Sequence, residues 1–171
     1  PKGIRNWTLL QTPQEKFPDI RVHNQPDATP KQVAELGTDY ILDVVIPKEQ
    51  YREVVQYLKK DKNLSLEMFI QLTCVDWKEY FDIAVHLLSV QGGHKLFLRC
   101  RVDKDENGAE IETISDIYVG ADWHEREVYD MFGVRFSGHP DMRRIYLKND
   151  FPGHPLCKDF EDTSRVVKRP Y

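Results

Sequence analysis

The spacing of hydrophobic residues predicts an amphipathic helix early in this chain. Pro47 suits the first position of a helix that would run to about Lys60. Four apolar residues recur within it at helical spacing and form a single stripe: Tyr51, Val54, Val55 and Leu58. A shorter helix is predicted upstream, between Thr29, a favourable N-cap, and Gly37, which is placed to end it.

Runs of β-branched and aromatic residues predict a sheet in the middle of the chain. Strands are predicted over residues 39–46, 66–75, 81–90 and 95–102, and residues 110–119 favour a further short strand or helix. Turn signals lie between them at residues 76–80, 91–94 and 105–108, and Gly92 with Gly93 would supply the positive φ angles of a hairpin. This order predicts an α+β fold, a mostly antiparallel sheet with helices on one face.

The pattern changes after Gly120. Asp122 is placed to cap a helix from Trp123 to Phe132, and Gly133 is placed to end it. Repeated prolines and glycines beyond this helix leave little room for regular structure. The chain is therefore predicted to divide into a globular α+β domain, residues 1–133, with an irregular N-terminal lead-in, and an extended charged arm, residues 134–171.

The predicted arm keeps several apolar side chains, which would bury little against their own domain and would lie on a partner subunit instead: Phe136, Ile145, Leu147 and Phe151. We therefore expect residues 134–171 to lack order in the isolated chain and to become protected from hydrogen exchange in a complex.

Composition narrows the class of function. The chain has 171 residues, 40 % hydrophobic and 30 % charged, which allows one packed domain. Its net charge of −4 argues against general nucleic-acid binding, which needs a basic face. No apolar run approaches the roughly 20 residues of a membrane-spanning helix. The three cysteines, Cys74, Cys100 and Cys157, form no CxxC motif and favour buried thiols over a disulfide framework or a metal cluster.

Charged residues cluster on the predicted helix 123–132. Glu127 and Asp130 are three residues apart and share a face with Glu125 nearby, while Arg126 and Asp130 are spaced for an ion pair. The cluster is open to three interpretations: a catalytic acid–base pair, an anchor for a partner's arginines, or a solvated helix with ordinary ion pairs. The interleaved aromatic residues, Trp123, Tyr129 and Phe132, favour a buried, interface-forming helix.

Two Gly-His-Pro triplets, centred on His139 and His154, lie in the predicted arm. With Asp141 and Asp159 they compose a possible two-histidine, carboxylate metal site. Metal-binding histidines usually sit closer together on a rigid element, so a structural role in turns is favoured. The adjacent arginines at 143–144 are suited to bidentate binding of carboxylate or phosphate. Neither a Gly-rich phosphate loop nor a GxSxG motif occurs in the chain.

Three sequence blocks resemble, in order and spacing, the signature of the 30 kDa subunit family (the C subunit) of respiratory complex I, the NADH:quinone oxidoreductase. The blocks are residues 125–133, EREVYDMFG, residues 138–145, GHPDMRRI, and residues 153–160, GHPLCKDF. Met142 stands where the family usually has leucine, which conserves volume. Cys157 stands where arginine is common, so one expected charge is missing from the arm.

The resemblance implies a non-catalytic scaffold subunit in the peripheral arm of a proton-translocating NADH:quinone oxidoreductase. Such a subunit lies on the cytoplasmic side of the bacterial inner membrane or the matrix side of the mitochondrial one, and meets the membrane only through the complex. It would hold no cofactor, since FMN, iron–sulfur clusters and quinone are expected in partner subunits. The expected partners are other peripheral-arm subunits, especially the quinone-site subunit and the subunit with the terminal iron–sulfur cluster.

The same resemblance implies a set of subunit-interface residues, with none assigned to catalysis, cofactor or metal: Glu125, Arg126, Glu127, Tyr129, Asp130, His139, Arg143, Arg144, His154, Lys158 and Asp159. Two alternatives are an equivalent subunit of a related membrane-bound hydrogenase or other quinone-linked dehydrogenase complex, and a free-standing metal hydrolase that uses His139, Asp141 and His154. A nucleic-acid or regulatory binding module that uses the basic arm is a third.

Overall fold

A computed structural model describes residues 13–23, 41–105 and 108–161 of the chain. Its strands are β1 (Arg21–Val22), β2 (Leu42–Ile46), β3 (Met68–Asp76), β4 (Tyr80–Leu88), β5 (Lys95–Asp103), β6 (Glu110–Glu112) and β7 (Arg135–Ser137). Its helices are α1 (Tyr51–Lys60), preceded by the 3-10 turn Lys48–Gln50, and α2 (Ala121–Phe132). The predicted helix between Thr29 and Gly37 lies outside the described residues, as do the first residues of the predicted strand 39–46.

Five strands form one sheet in the order β1-β2-β5-β4-β3. Strands β3, β4 and β5 follow one another as an antiparallel meander, and β1 pairs antiparallel with β2. Strand β2 alone runs parallel to its neighbour, β5. The remaining strands, β6 and β7, form a separate parallel pair. The prediction of an α+β fold with a mostly antiparallel sheet is confirmed.

Alternation along the strands places most of the buried apolar residues of the sheet on one face. In β5, for example, the buried residues are Leu96, Leu98, Cys100 and Val102, and their neighbours on β4 and β2 in register are apolar as well. Val54 and Leu58 of α1 lie against this face, and Phe132 of α2 packs edge-on against Phe81 of β4. Burying one such leucine or valine contributes about 1.5–3 kcal/mol, so this layer is the core of the domain.

The two predicted helices that fall within the described residues are confirmed, with one correction at a helix start and one in a hairpin turn. All four stripe residues of α1 are buried. Helix α2 begins at Ala121 after Gly120, so Asp122 lies inside its first turn and is not the cap. Gly133 ends α2 at φ 79°, as predicted. In the β4–β5 hairpin only Gly93 of the glycine pair has a positive φ, and Gly92 donates its N–H to the Ser89 hydroxyl. None of the described helices is long and apolar enough to cross a membrane.

Candidate partner-binding segment

Residues 134–161 are the described part of the predicted arm, and we call them the arm segment. Val134 and Phe136 are buried in the core, and the N–H of Leu156 donates to the carbonyl of Met131 at 3.1 Å. The prediction that this segment makes little contact with its own domain is therefore wrong for the described residues. Some N–H groups of this proline-broken segment pair within short turns of the segment itself, such as that of Phe151 with the carbonyl of Lys148, while others, such as that of Leu156, find acceptors on the domain. The division at residue 134 and packing on a partner stay predictions.

Asp130 of α2 is the main anchor of the arm segment. It is 0 % exposed, and its Oδ2 accepts three consecutive backbone N–H groups at 2.8–3.1 Å, those of Ile145, Tyr146 and Leu147. Its Oδ1 accepts a bond from the Arg144 guanidinium at 3.0 Å. Burial acts to raise the pKa of Asp130, but the three N–H groups and Arg144 outweigh it, so the pKa is lowered.

The predicted ion pair between Arg126 and Asp130 does not form, because Asp130 is occupied by the arm segment. Arg126 turns towards the start of α2, where its guanidinium lies 4.0 Å from Asp122 Oδ1 and 4.7 Å from the centre of the Trp123 ring. An acid one turn before a base is the favourable order on a helix. Arg126 also donates from Nε to the carbonyl of Arg143 at 3.3 Å, which adds a contact to the arm segment.

Glu125 binds the residues that follow β6, Thr113 and Ile114. It is fully buried, and its Oε1 accepts the N–H of Ile114 at 2.7 Å while its Oε2 accepts the Thr113 hydroxyl at 2.5 Å. Burial raises the pKa of Glu125 to about 7, against these two hydrogen bonds. Together, Glu125 and Asp130 tie α2 to the segment after β6 and to the arm segment. The interpretation of α2 as an ordinary solvated helix is therefore wrong.

His139 approaches Glu125 from the arm segment with a fully enclosed side chain. Its Nδ1 accepts the N–H of Asp141 at 3.0 Å, which assigns the proton of the neutral ring to Nε2. That Nε2 lies 3.5 Å from Asp122 Oδ1 and 3.9 Å from Glu125 Oε2. His139 Nε2 therefore faces two carboxylates inside the fold without a hydrogen bond to either.

His154 also has a structural position. Its Nδ1 faces the carbonyl of Asp130 at 3.0 Å, and since a carbonyl only accepts, this nitrogen donates. The ring fills the space beside Gly133, where an added Cβ would meet His154 Cδ2 at 2.6 Å. Its edge also lies against Tyr129, with ring centres 6.1 Å apart.

Asp76 is a second anchor, which the sequence pattern indicated only as part of an acidic turn. It ends β3 and is 4 % exposed. Its Oδ2 accepts the N–H of Lys158 at 2.7 Å, and its Oδ1 accepts the N–H of Lys78 at 2.7 Å and the Lys104 ammonium at 2.9 Å. Burial acts to raise its pKa, but these donors outweigh it, so the pKa of Asp76 is lowered. The only local sign of this role in the sequence is the position of Asp76 two residues before Lys78, the spacing at which an aspartate side chain can accept a backbone N–H in a turn.

The remaining predicted interface residues face solvent to different extents. Arg143 is exposed and pairs at the surface with Asp141 at 2.9 Å. Lys158 and Asp159 are exposed, while Glu127 is half-buried. Two large apolar side chains of the arm segment are also exposed, Tyr146 and Leu156. The predicted interface residues thus fall into two groups. Some, such as Asp130 and Arg144, bond to each other within the chain, and others, such as Lys158, are exposed and could contact another protein.

The metal site suggested by the sequence is not assembled, since His139 and His154 each bond to a different backbone group. Within the described residues, one group brings three possible ligand atoms within 4.8 Å of one another: Asp76, Cys157 and Asp159. The Lys104 ammonium on Asp76 opposes a second cation there.

The prediction of buried thiols is confirmed for two of the three cysteines. All three are free, and Cys74 and Cys100 are buried. Cys157 is half-buried, packs against the core and donates to the carbonyl of Phe132 at 3.2 Å. Burial raises the pKa of its thiol to about 11. In place of the expected charge, this position therefore supplies a contact between the arm segment and α2.

Two solved structures share this fold. A chain of the membrane-bound sulfane sulfur reductase, an archaeal respiratory membrane complex, superposes with a TM-score of 0.74 at 23 % identity, over 96 % of this chain and 94 % of that one. The trypsin-resistant fragment of Nqo5, residues 1–134, superposes with a TM-score of 0.59 at 26 % identity, over 81 % of this chain and 99 % of that one.

Sequence relatives give the family. A protein of Rhodobacter capsulatus, named as the C subunit of NADH-quinone oxidoreductase, is 33 % identical over 91 % of this chain and 78 % of its own length. A protein of the same name from Cereibacter sphaeroides is 37 % identical over 91 % of this chain and 76 % of its own length. Residues 44–166 match the family model described as the respiratory-chain NADH dehydrogenase 30 kDa subunit. The chain therefore belongs to the family of the respiratory-chain NADH dehydrogenase 30 kDa subunit.

Proposed function

We propose that this chain is a non-catalytic assembly subunit of a proton-translocating NADH:quinone oxidoreductase. It would lie in the peripheral arm and pack against the quinone-site subunit, close to the subunit that holds the terminal iron–sulfur cluster. The family match over residues 44–166 carries the proposal, and the two relatives named for NADH-quinone oxidoreductase, at 33 % and 37 % identity, support it.

The contacts of the signature residues support a scaffold role. Both buried carboxylates of α2 are occupied within the chain, Asp130 by the arm segment and Glu125 by residues 113–114. These bonds account for both groups without a reaction. Two of the side chains left at the surface, Arg143 and Tyr146, are of the kinds enriched at protein interfaces.

The chain would therefore hold its neighbouring subunits in position, while those partners bind FMN, iron–sulfur clusters and quinone. It would lie on the cytoplasmic side of a bacterial inner membrane, or the matrix side of a mitochondrial one, and reach the membrane only through those partners. Nucleic acid is not expected as a partner, because the chain is acidic overall with a net charge of −4.

A second candidate is the equivalent position in a related membrane-bound hydrogenase or another quinone-linked dehydrogenase complex. The shared fold with a chain of the sulfane sulfur reductase complex favours keeping this alternative, although a likeness at 23 % identity shows the fold alone. The electron donor separates the two candidates. A free-standing metal hydrolase is disfavoured, because His139 and His154 serve separate backbone contacts.

Deletion and complementation in the native host test the proposal. We expect deletion to remove NADH-dependent quinone reduction from the membranes and the assembled complex from a native gel, and expression of the chain to restore both. Restoration with hydrogen or another donor, and not with NADH, would favour the second candidate. Membranes that keep full quinone reduction without the chain would contradict both.

A further inference from the structure

The Asp76 side chain joins two surface features that are far apart in sequence. Through the N–H of Lys78 it fixes the β3–β4 turn, and through the N–H of Lys158, 82 residues away, it fixes the end of the arm segment. The Lys158 ammonium consequently lies 5.3 Å from the centre of the Trp77 ring. Both oxygens of Asp76 are occupied by these bonds and by Lys104, so the junction is fully satisfied.

Large apolar side chains are exposed to solvent on both sides of the Asp76 contacts. Trp77 is 53 % exposed on the turn and Leu156 is 55 % exposed on the arm segment. Trp77 also stacks on Tyr80, with ring centres 6.3 Å apart, and the Arg101 guanidinium lies 4.1 Å from the Tyr80 ring. Tryptophan, tyrosine and arginine held on a rigid support are the residues that most often dominate the energy of protein interfaces.

We propose that Asp76 is a positioning residue for assembly: it fixes the end of the arm segment before binding, so that Trp77 and Lys158 meet the quinone-site subunit already in their bound arrangement. The inference rests on the proposed function, which supplies the partner. A surface that is already ordered loses less conformational entropy on association, and this lowers its dissociation constant without any new contact.

The bond between Asp76 and the arm segment can be removed without changing Asp76. Lys158→Pro deletes the N–H donor together with the side chain, whereas Lys158→Ala deletes the side chain alone. The difference between these two variants reports the N–H bond together with the backbone restriction that proline places on residues 157–158, and a substitution at Asp76 tests the bond without that restriction. Asp76→Asn weakens the same bond from the acceptor side, and Lys104→Met is its matched control, because it removes another Asp76 contact and leaves the Lys158 bond in place.

Competition inside the cell gives the readout. Each variant is co-expressed with the wild-type chain under a distinguishable tag, and the ratio of the two is measured in the assembled oxidoreductase and in the free pool. We expect Lys158→Pro to enter the complex at least about tenfold less than Lys158→Ala, as the loss of one ordering hydrogen bond to a charged group, at least about 1.5 kcal/mol, implies. Asp76→Asn should likewise fall below Lys104→Met.

Hydrogen exchange of the purified full-length chain gives the second readout. We expect amides of residues 154–160 to exchange faster in Lys158→Pro than in Lys158→Ala, with β4 and β5 unchanged. Equal entry of these two variants into the complex would overturn the inference, as would faster exchange throughout the sheet in Lys158→Pro. A wild-type chain that enters no oxidoreductase would instead overturn the proposed function, and the wild-type tag reports that result separately.

Discussion

Replacing Asp130 by asparagine should detach the arm segment from its domain. The carboxylate accepts three backbone N–H groups on one oxygen and Arg144 on the other, and the Arg144 side chain is only 14 % exposed. An amide has one acceptor. If its oxygen faces the N–H groups, its NH₂ meets the guanidinium; if it is reversed, its NH₂ meets three donors. Either way, one set of buried donors loses its partner.

The expected loss follows from those contacts. Hydrogen bonds to a charged group contribute about 1.5–3 kcal/mol each and are not additive, and breaking a buried ion pair costs about 3–5 kcal/mol. Because asparagine keeps the shape and one acceptor, we expect the free energy of unfolding to fall by about 2–4 kcal/mol. The matched control is Asp150→Asn, an exposed carboxylate of the same arm segment, which should stay within about 0.5 kcal/mol of wild type.

Urea denaturation followed by circular dichroism measures the loss, and hydrogen exchange locates it. Amides of residues 145–147 should lose protection first in Asp130→Asn. The pKa of Asp130 is lowered in the folded state, so its stabilisation is present above the unfolded pKa of about 3.9 and is lost as pH falls through the folded value. The difference between wild type and variant should therefore be largest at neutral pH and shrink in strong acid. Unchanged exchange at residues 145–147 would refute the reasoning.

Four further substitutions test other contacts. Glu125→Gln should flatten the pH dependence of stability: the folded pKa of about 7 lies above the unfolded value of about 4.3, so wild type loses up to about 4 kcal/mol as pH rises from 4.3 through 7. Urea denaturation at several pH values measures this loss, and an equal dependence of the unfolding free energy on pH in wild type and variant would show that the carboxyl does not matter. Gly133→Ala combines φ 79° with a Cβ 2.6 Å from His154, so we expect a loss of about 1–3 kcal/mol by thermal melting; a melting temperature equal to wild type would argue against this geometry. Phe136→Ala truncates a core side chain and should lower the free energy of unfolding by about 3–5 kcal/mol. Tyr146→Ala changes an exposed side chain, so it should leave that free energy nearly unchanged and reduce retention in the complex. A larger loss for Tyr146→Ala than for Phe136→Ala in urea denaturation would contradict the described course of the arm segment.

Local patterns in the sequence were sufficient for most of the domain. The stripe of α1 and the alternation along β5 each follow from one period of hydrophobic residues, and both were predicted with nearly the right bounds. The start of α2 was not. Asp122 is a good cap by residue type, but the helix extends back over Ala121, which is completely buried, and the aspartate therefore lies inside the first turn.

The course of the arm segment depends on contacts that no local pattern contains. The bond between Asp76 and Lys158 joins residues 82 apart, and Asp130 is taken by residues 14–17 positions downstream. A helix-spacing rule therefore paired Asp130 with Arg126, a charged neighbour on the same helix. The same limit applies to His139, whose ring faces Asp122 and Glu125 instead of a second histidine.

Purification of the tagged chain from mildly solubilised native membranes tests the central claim most directly. We predict that it isolates in equal amounts with the quinone-site subunit and the other peripheral-arm subunits, and that the preparation contains flavin and iron and reduces quinone with NADH. A chain recovered only as a monomer, with no quinone-reductase subunit at comparable amount, would contradict the account.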